Sequence, residues 1–561
     1  MEKSYIIIYQ GTLTEIENIF KESNIDKYMI LNEQLAVIYV PITFDEKKLN
    51  AISIITHWER SSPMSSLIEI TDNLTEGETV TTAAGTDYIY KNPYITADGK
   101  GVIIAIIDSG IDYLHPDFIN PDGTTKIISI WDQNHEGQSM DEKYIFGREI
   151  TRDEINKAIK ENDKSLTQDD IGTGTIAAGI CCGIGNLNSF YQGVAIGSEL
   201  IVVKLKEYKD TYMEGKINYQ SSDFLAAIKY AIDVANKEDK FLIVNLTIGE
   251  KPIATIRATM LQTFEELAKP GVVLVSGSGN EGNTDIHYEG KIMPNERQQD
   301  IIFQVGEQRN LEIALFTNGP DKITTELISP AGELSFRIIY SPEYYIYKGT
   351  FNIEDTSYQM RYTYPWLESG YQQLSIYLED IKPGIWTIRL NPEFIINGDF
   401  SIYLPNKSLI SEDTRFLDPN SSSTITFYAS TENIITIGAY NDKTDSLWIG
   451  SSKGPVSIRN IKPDIVAPGV DIIGPFKNES YNTATGTGVS SSLVCGVLAI
   501  IIQYITQQKS FTRASLYTAV LKTYLMLGAT KQDIYNYPNI SQGYGILNLS
   551  ETIIQIANNI E

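Results

Sequence analysis

The sequence predicts an α/β fold, a parallel β-sheet covered by helices, with an α+β unit before it and an antiparallel β-sandwich inserted into it. Three observations lead to this prediction. Continuous apolar runs such as GVIIAIIDSG alternate with helical segments, as do the strands and helices of a parallel sheet buried on both faces. The first 84 residues have their own pattern of short strands and helices. Short, alternating, aromatic-rich runs then interrupt the α/β pattern.

Residues 1–84 are predicted to form the α+β unit. Its predicted elements, in chain order, are a strand in KSYIIIYQ, a helix over 14–24, two strands in MILNEQLAVIYVPI, a helix over 44–57 and a strand in SSLIEI. The stretch TEGETVTTAAGTD that follows is small and polar, and this composition predicts a linker.

The α/β domain is predicted to consist of two parts, residues 85–296 and residues 431–561. Its first part contains the apolar runs GVIIAIIDSG, ELIVVKL, KFLIVNLTIG and GVVLVSGSGN, and NIITIGAY resumes the pattern in the second part. A helix is predicted over 222–235, and Thr151 with Glu154 fits a capping box at the start of another.

Residues 297–430 are predicted to form the insertion. Runs such as NLEIALFT, QLSIYLED and GIWTIRLNP alternate apolar and polar residues and are rich in aromatic side chains. Turn signals recur roughly every 10 to 15 residues, a spacing that is typical of an antiparallel β-sandwich.

Charge and hydropathy limit the expected partners. The formal net charge is −26, so the chain repels phosphate backbones and anionic lipids, and nucleic acid is not an expected partner. The apolar run in MEKSYIIIYQ is too short for a secretory signal peptide. No run reaches the ~18 apolar residues of a transmembrane helix, so we expect a soluble chain with a buried helix around 493–505.

The three cysteines, Cys181, Cys182 and Cys495, are too few and too unevenly spaced for a disulfide framework. We expect them to be buried free thiols. No histidine lies near them at the spacing of zinc ligands, so neither a metal site nor a cofactor is expected.

Five glycine-rich or proline-rich motifs carry the functional interpretation. In chain order they are DSGIDYLHPDF at 108–118, GTGTIAAG at 172–179, SGSGNEGN at 276–283, KPDIVAPG at 462–469 and GTGVSSS at 486–492. Asp108 and Asn280 follow buried apolar strands, which deliver such residues to the carboxyl edge of a parallel sheet.

Together these motifs resemble the subtilase family of serine proteases, which carries Asp, His and Ser in this chain order. The resemblance implies a subtilisin-like fold. It also implies that Asp108 occupies the position of the Asp that orients the catalytic imidazole, and that Asn280 matches the side-chain oxyanion donor. Thr173 stands where the family has the catalytic histidine, and Gly488 stands where it has the nucleophilic serine.

Two of the three triad positions therefore lack the groups that the chemistry needs. A threonine hydroxyl has no pKa near neutrality, so Thr173 cannot take a proton from a nucleophile. Gly488 has no side chain, so no acyl-enzyme can form there. We expect a pseudoprotease, not an enzyme, in which Asp108 and Asn280 are retained for hydrogen bonds to local backbone.

The remaining histidines and the nearest serine offer no obvious substitute. His115 belongs to the HPDF element and is expected to be structural, and His57 lies in the N-terminal unit. His135 and His287 have no motif around them and are expected at the surface. Ser490 lies two residues beyond Gly488, which on a helix is about 200° around the axis.

The layout of the domains resembles the clostridial Csp germination proteases, which carry a jelly-roll insertion between the oxyanion asparagine and the nucleophile. This resemblance implies that residues 1–84 are a prodomain and that residues 297–430 are the jelly roll. The loss of both His and Ser resembles the pseudoprotease branch of that family. The resemblance implies a soluble spore protein that regulates germination. The implied partners are related Csp proteins and a cortex-lytic pro-hydrolase, and the implied ligand is a bile salt whose site the sequence does not locate.

Two alternatives remain open from the residues. The chain could be a scaffold for the active protease with no ligand of its own, or an active serine protease with an unrecognised nucleophile. If Thr173 and Gly488 abolish catalysis, the chain cannot remove its own prodomain. We therefore expect residues 1–84 to stay attached, with the linker near Thr81–Gly85 in or near the cleft.

Overall fold

The computed structural model describes residues 2–135, 143–252, 269–339, 346–366, 370–455, 461–507 and 516–560. These residues form an N-terminal unit, an α/β domain in two parts and a β-sandwich between those parts. The predicted fold class is confirmed. The predicted insertion over 297–430 includes residues 340–345 and 367–369, which lie outside the described residues.

The N-terminal unit is a four-stranded antiparallel sheet covered by one main helix. Its elements are β1 (Glu2–Tyr9), α1 (Leu13–Glu22), β2 (Lys27–Ile30), β3 (Leu35–Pro41), α2 (Lys47–Asn50) and β4 (Ile55–Arg60). The strand order is β2-β3-β1-β4. A capping box of Thr12 and Glu15 begins α1, whose buried residues Ile16 and Phe20 face the sheet core.

The predicted helix over 44–57 is wrong. Only the four-residue α2 forms, and the chain from Ile55 onward pairs with β1 instead. This pairing buries Trp58, whose ring lies 5.7 Å from that of Tyr5 between centroids. Strand pairing across the sheet therefore overrides the local helical spacing.

The segment that connects the N-terminal unit to the α/β domain contains β5 (Pro63–Ser66), β6 (Glu69–Ile70), β7 (Glu78–Thr79), α3 (Val80–Ala84) and α4 (Asp87–Tyr90). The predicted linker around 75–87 is therefore wrong as a description of this region. Val80 and Ala84 are buried in the main core, and Gly85 ends α3 in the left-handed conformation with φ 66°.

The first part of the α/β domain supplies most of the central sheet. Its elements are β8 (Val102–Asp108), β9 (Ile127–Asp132), β10 (Arg148–Thr151), α5 (Arg152–Glu161), α6 (Thr173–Cys182), β11 (Glu199–Lys204), β12 (Tyr208–Lys209), β13 (Ile217–Gln220), α7 (Ser221–Glu238), β14 (Phe241–Leu246), β15 (Ile248–Glu250) and β16 (Val272–Gly277). The predicted capping box of Thr151 and Glu154 is confirmed at the start of α5.

The insertion is a sandwich of two antiparallel sheets. Its strands are β17 (His287–Lys291), β18 (Gln299–Val305), β19 (Asn310–Asn318), β20 (Lys322–Ile328), β21 (Ile346–Phe351), β22 (Thr356–Trp366), β23 (Tyr371–Glu379), β24 (Gly384–Phe394), β25 (Asp399–Tyr403) and β26 (Arg415–Phe416). The sheet orders are β17-β25-β19-β23-β22-β21 and β20-β24-β18-β26. Both sheets contribute to one apolar core.

The sandwich begins upstream of the predicted residue 297, because β17 pairs with β25. The expectation that His287 lies at the surface is therefore wrong. Its ring is fully buried and stacks on Tyr403 with a centroid distance of 4.4 Å. Burial lowers the pKa of His287 to about 4, so it is neutral at physiological pH.

The second part of the α/β domain completes the central sheet and its helical cover. Its elements are β27 (Ile434–Asn441), β28 (Ser446–Leu447), β29 (Ile465–Pro468), β30 (Ile472–Phe476), β31 (Ser480–Thr485), α8 (Thr487–Gln507), α9 (Thr518–Gly528) and α10 (Leu549–Ile560). The central sheet has the order β10-β9-β11-β8-β14-β16-β27-β28, with β29 also paired to β27.

The central strands β9, β11, β8, β14, β16, β27 and β29 are parallel. Helices α6 and α8 pack on one face of this sheet, and α7 with part of the N-terminal unit packs on the other. The candidate site therefore lies where β8 and β14 end and α6 and α8 begin. The three cysteines are free and buried, as predicted.

Among the described residues, one helix is long and apolar enough to cross a bilayer by length and composition. This helix is α8, and 89% of its most apolar window is buried inside the fold. Its predicted role as a buried core helix agrees with its contacts to the central sheet.

Candidate functional site

Asp108 ends strand β8 and is fully buried. Its carboxylate accepts hydrogen bonds from the Ser109 N–H at 2.6 Å and from the hydroxyls of Thr173 and Thr247. Burial raises the pKa of Asp108 to about 6, although the three hydrogen bonds oppose the rise. The charge of nearby Asp169 adds to it.

Thr173 is the first residue of α6, and its hydroxyl takes the place of an imidazole N–H as donor to Asp108. The Ser109 hydroxyl lies 2.9 Å from the Thr173 hydroxyl and donates to Asp169 at 2.7 Å. Asp169 in turn accepts from the Gly172 N–H at 2.7 Å, at the start of the helix. Hydroxyl groups thus link two buried carboxylates, Asp108 and Asp169, at the start of α6.

Asp169, Ser109 and Thr247 are site residues that the sequence analysis missed. Asp169 also accepts from the N–H and hydroxyl of Thr175, at 2.9 Å and 2.6 Å, so it caps the first turn of α6. An Asp shortly before the GTGT run was the available signal for such a cap.

Gly488 is the second residue of α8, and its N–H points into the cleft. It donates to the Leu67 carbonyl at 2.9 Å. Asn280 is fixed beside it, because its Oδ1 accepts from the Thr487 N–H at 3.1 Å and the Thr487 hydroxyl at 2.9 Å. The Asn280 Nδ2 is buried and has no hydrogen-bond partner among the described residues.

The cleft is occupied by the chain's own residues 63–70, which we call the cleft segment. Strand β5 pairs antiparallel with β13 on one side and with β15 on the other, and β6 pairs with β31. Between them, the Leu67 N–H donates to the Thr247 carbonyl at 2.7 Å. The cleft segment is therefore held as an extra strand by backbone hydrogen bonds, the usual mode for an extended peptide.

The peptide bond between Leu67 and Ile68 lies directly against Gly488. A methyl group added at Gly488 would lie 3.1 Å from the Leu67 carbonyl carbon and 2.7 Å from the Ile68 Cγ1. At Gly486, whose φ is 138°, it would lie 2.2 Å from the Leu67 carbonyl oxygen. The close approach of the cleft segment thus requires glycine at both positions.

Both side chains at this bond are buried. Leu67 is 2% exposed and Ile68 is 4% exposed, and a methyl group added at Gly249 would lie 2.8 Å from the Leu67 Cδ2. Burying an aliphatic side chain of this size stabilises a fold by about 1.5–3 kcal/mol. The apolar contacts therefore add to the backbone pairing.

Residues near Thr81–Gly85 are expected in or near the cleft, but a segment upstream of them fills it. Those residues form α3 and its cap, and the cleft segment lies upstream of them. The reason is the pairing of β5 with two distant strands, whose positions the local sequence does not specify.

The other candidate groups point away from Asp108. The Ser490 hydroxyl donates to the Ala467 carbonyl at 2.9 Å, as its helical position predicted. His115 is buried, and its Nδ1 accepts from the Asp117 N–H at 3.2 Å, which confirms its structural role. His57 lies 3.5 Å from Glu59 in β4, and His135 is exposed.

The chain belongs to the subtilase family, whose model matches residues 99–336 and 405–545. Among solved structures it is similar to the Clostridium perfringens CspB protease, with a TM-score of 0.74 and 26% identity, covering 86% of this chain and 98% of that chain. The chain is thus a subtilase related to the Csp proteases. The Staphylococcus aureus protease EpiP, at 14% identity and a TM-score of 0.51 with 99% of each chain covered, shows the same fold.

Curated relatives are more distant. The C5a peptidase of Streptococcus pyogenes serotype M3 is 23% identical over 440 residues, which cover 74% of this chain and 36% of that protein. The Arabidopsis thaliana subtilisin-like protease SBT2.2 is 23% identical over 491 residues, covering 74% of this chain and 56% of that protein. The chain thus spans about a third to a half of the length of these relatives.

The first prediction concerns the bond between Leu67 and Ile68. We expect the purified chain to keep this bond, because Thr173 and Gly488 supply neither base nor nucleophile. Intact-mass measurement should then give one species of 62.7 kDa. A fragment that begins at Ile68, formed without added protease, would contradict the expectation.

The second prediction concerns Gly488→Ala. Alanine by itself favours a helix by ~1 kcal/mol, yet the added methyl group would collide with the cleft segment. We expect the free energy of unfolding to fall by ~1–3 kcal/mol, measured by urea denaturation. In an Ile68→Ala background the loss should be smaller, and an equal loss in both backgrounds would count against the contact.

The third prediction concerns Asp108→Asn. The pKa of Asp108 in the folded protein is about 6, above the ordinary value of 3.8. Between pH 3.8 and pH 6 the folded protein therefore binds a proton that the unfolded chain has lost. Above pH 6 the ionised, buried carboxylate lowers the stability of the fold. Asparagine carries no charge. The stability of the variant relative to the parent should therefore rise by up to ~3 kcal/mol between pH 4 and pH 7.

Urea denaturation at the two pH values measures this change. Asp122→Asn, in an exposed turn, is the matched control and should show no such rise. A stability difference for Asp108→Asn that is the same at both pH values would refute the assignment.

Proposed function

We propose that this subtilase is a catalytically inactive pseudoprotease that acts by binding. The observation that carries the proposal is the contact between the Gly488 N–H and the Leu67 carbonyl, at the point where the family has a nucleophilic serine. A peptide bond lies at the reactive position, yet no side chain is present to attack it. The cleft thus serves to hold the chain's own N-terminal unit.

The residues around the cleft support this proposal chemically. Removing triad members from such enzymes leaves a rate only ~10³–10⁴ above that of water, and here two members are replaced together. Asp108 bonds to three donors that cannot act as a general base toward a nucleophile. Asn280 retains its amide but has no tetrahedral intermediate to stabilise.

We further propose that the chain regulates spore germination. The support is its similarity to the Clostridium perfringens CspB protease and the resemblance of its double loss to the pseudoprotease CspC of Clostridioides difficile. In this proposal the chain resides in the spore and controls a related Csp protease that activates a cortex-lytic pro-hydrolase. A bile-salt germinant is the proposed signal.

The fourth prediction tests both parts of the proposal. A fluorophosphonate probe should label an active Csp protease but leave this chain unlabelled, because Gly488 offers no hydroxyl. Added to an active Csp protease and its pro-hydrolase from the same organism, the chain should change the processing rate at least several-fold.

Labelling of this chain would overturn the assignment as a pseudoprotease. An unchanged processing rate, together with no complex by size-exclusion chromatography, would overturn the regulatory role. A complex whose processing rate does not respond to bile salt would favour the scaffold alternative.

A further inference from the structure

Residues 71–79, which we call the tether, follow the cleft segment and lead into α3. The tether lies against the second part of the α/β domain. The Glu78 N–H donates to the Asp471 carbonyl at 2.8 Å, and a methyl group added at Gly77 would lie 2.5 Å from the Ile473 Cγ1. Strand β7 of the tether and strand β6 of the cleft segment therefore belong to the same small sheet, whose order is β6-β31-β30-β7.

The turn between β27 and β28 also contacts the tether. Lys443 in this turn donates from its Nζ to the Glu76 carbonyl, which places the preceding residue, Asp442, beside Glu78. The side chains of Glu78 and Asp442 are within hydrogen-bonding distance of each other. The turn and the tether are thus joined by a contact between two carboxyl groups.

The oxygen atoms at this contact lack a hydrogen-bond donor. The Glu78 Oε2 and the Asp442 Oδ1 are both buried, and neither accepts a hydrogen bond from a donor group in the described part of the chain. The neighbouring Asn441 Oδ1 is also buried without a partner there. Two ionised carboxylates in contact repel each other, so one of the pair holds a proton when the contact is closed.

The charges around the pair favour this proton. Burial raises the pKa of Glu78 to about 8, and the contact with Asp442 adds to the rise, whereas the Lys443 ammonium group opposes it. The remaining charged residues of the tether, of the turn and of the residue before β30 are all acidic, namely Asp72, Glu76, Asp445 and Asp471. The single cation of these described segments therefore does not compensate for their negative charge.

We propose that Glu78 and Asp442 form a proton-dependent clamp, which fastens the tether to the α/β domain when one carboxyl is protonated and releases it when both are ionised. In the closed clamp the protonated carboxyl donates a hydrogen bond to the other. On ionisation the proton passes to solvent, and two like charges remain in contact. The tether then separates from β30 and from the turn, while the cleft segment stays paired with β13 and β15.

The direction of the pH dependence follows from the two states of the clamp. In the open state Glu78 is exposed to solvent and has its ordinary pKa of 4.5. The closed state has the higher pKa, so between pH 4.5 and about pH 8 it binds a proton that the open state has lost. Each pH unit in this range therefore shifts the equilibrium toward the open state by up to ~10-fold.

The clamp has a consequence for the covalent link between the N-terminal unit and the rest of the chain. The tether is part of this link, and a protease cuts a segment only when the segment can leave its folded contacts. Opening would therefore make the tether accessible to a protease from another chain. A cut there would leave the N-terminal unit held by noncovalent contacts alone. The clamp belongs to the fold of this chain, so it would act whether or not the chain regulates germination.

The fifth prediction is that the tether loses protection from hydrogen–deuterium exchange as the pH rises. Exchange is measured by mass spectrometry on the full-length chain, with rates corrected for the intrinsic effect of pH. The protection factor of peptides that cover the tether should fall at least ~10-fold between pH 6 and pH 8, because the clamp opens in this range. Peptides that cover residues 63–70 should keep their protection.

Glu78→Gln and Asp442→Asn are the informative variants. Each keeps the shape of the pair and provides an amide N–H donor at every pH. Either variant should reduce the fall in protection of the tether to less than ~2-fold, and should protect the tether better than the parent does at pH 8. Glu76→Gln removes a carboxylate from an exposed position of the same tether, so this matched control should show the parent's fall.

An equal protection factor of the tether at the two pH values would overturn the clamp, as would a parent-like fall in both amide variants. Loss of the pH dependence in Glu76→Gln would also overturn it, because the effect would then belong to the overall charge of the tether. EDTA added at pH 6 distinguishes a proton from a metal ion between the oxygens. We expect no effect of EDTA, and a large loss of protection would replace the clamp with a bound cation.

Discussion

The hydrogen bond from the Gly488 N–H to the Leu67 carbonyl joins the start of the buried helix α8 to the segment that fills the cleft. It forms because position 488 has no side chain, since even a methyl group there would lie 2.7 Å from Ile68. The glycine at position 488 and the occupation of the cleft are therefore coupled in space. Strand β5 extends this anchor by pairing on both edges, and the N-terminal unit is also attached through the apolar core that it shares with α7 and the central sheet.

The contacts of Asp108 are also local and leave no empty space. A histidine ring at position 173 would be larger and would need space beside a nucleophile. The shorter Thr173 side chain donates a hydrogen bond directly to Asp108. Ser109 then connects this pair to Asp169, which caps α6. The retained aspartate has thus become part of the packing between β8 and α6, and its burial is supported by short, local donors. These contacts give the aspartate motif a packing role that does not depend on catalysis.

Much of this arrangement could be predicted from sequence, because the motifs are local. Apolar runs that end in Asp108 or precede Asn280 specify buried strands, and the glycine-rich runs specify the starts of α6 and α8. The position of the cleft segment could not be predicted. The run SSLIEI predicts a strand, but it does not indicate which strands pair with it. One of those partners, β13, lies more than 150 residues further along the chain. The helix predicted over 44–57 and the surface position expected for His287 failed for the same reason, namely long-range strand pairing.

Hydrogen–deuterium exchange measured by mass spectrometry on the full-length chain tests the central claim most directly. If the cleft segment is a permanent strand of the closed cleft, the amide of Leu67, which donates to Thr247, should exchange as slowly as amides of β8 and β14 in the central sheet. Its protection should persist without any ligand or partner. Exchange of residues 63–70 at the rate of exposed loops, with the central strands still protected, would contradict the account.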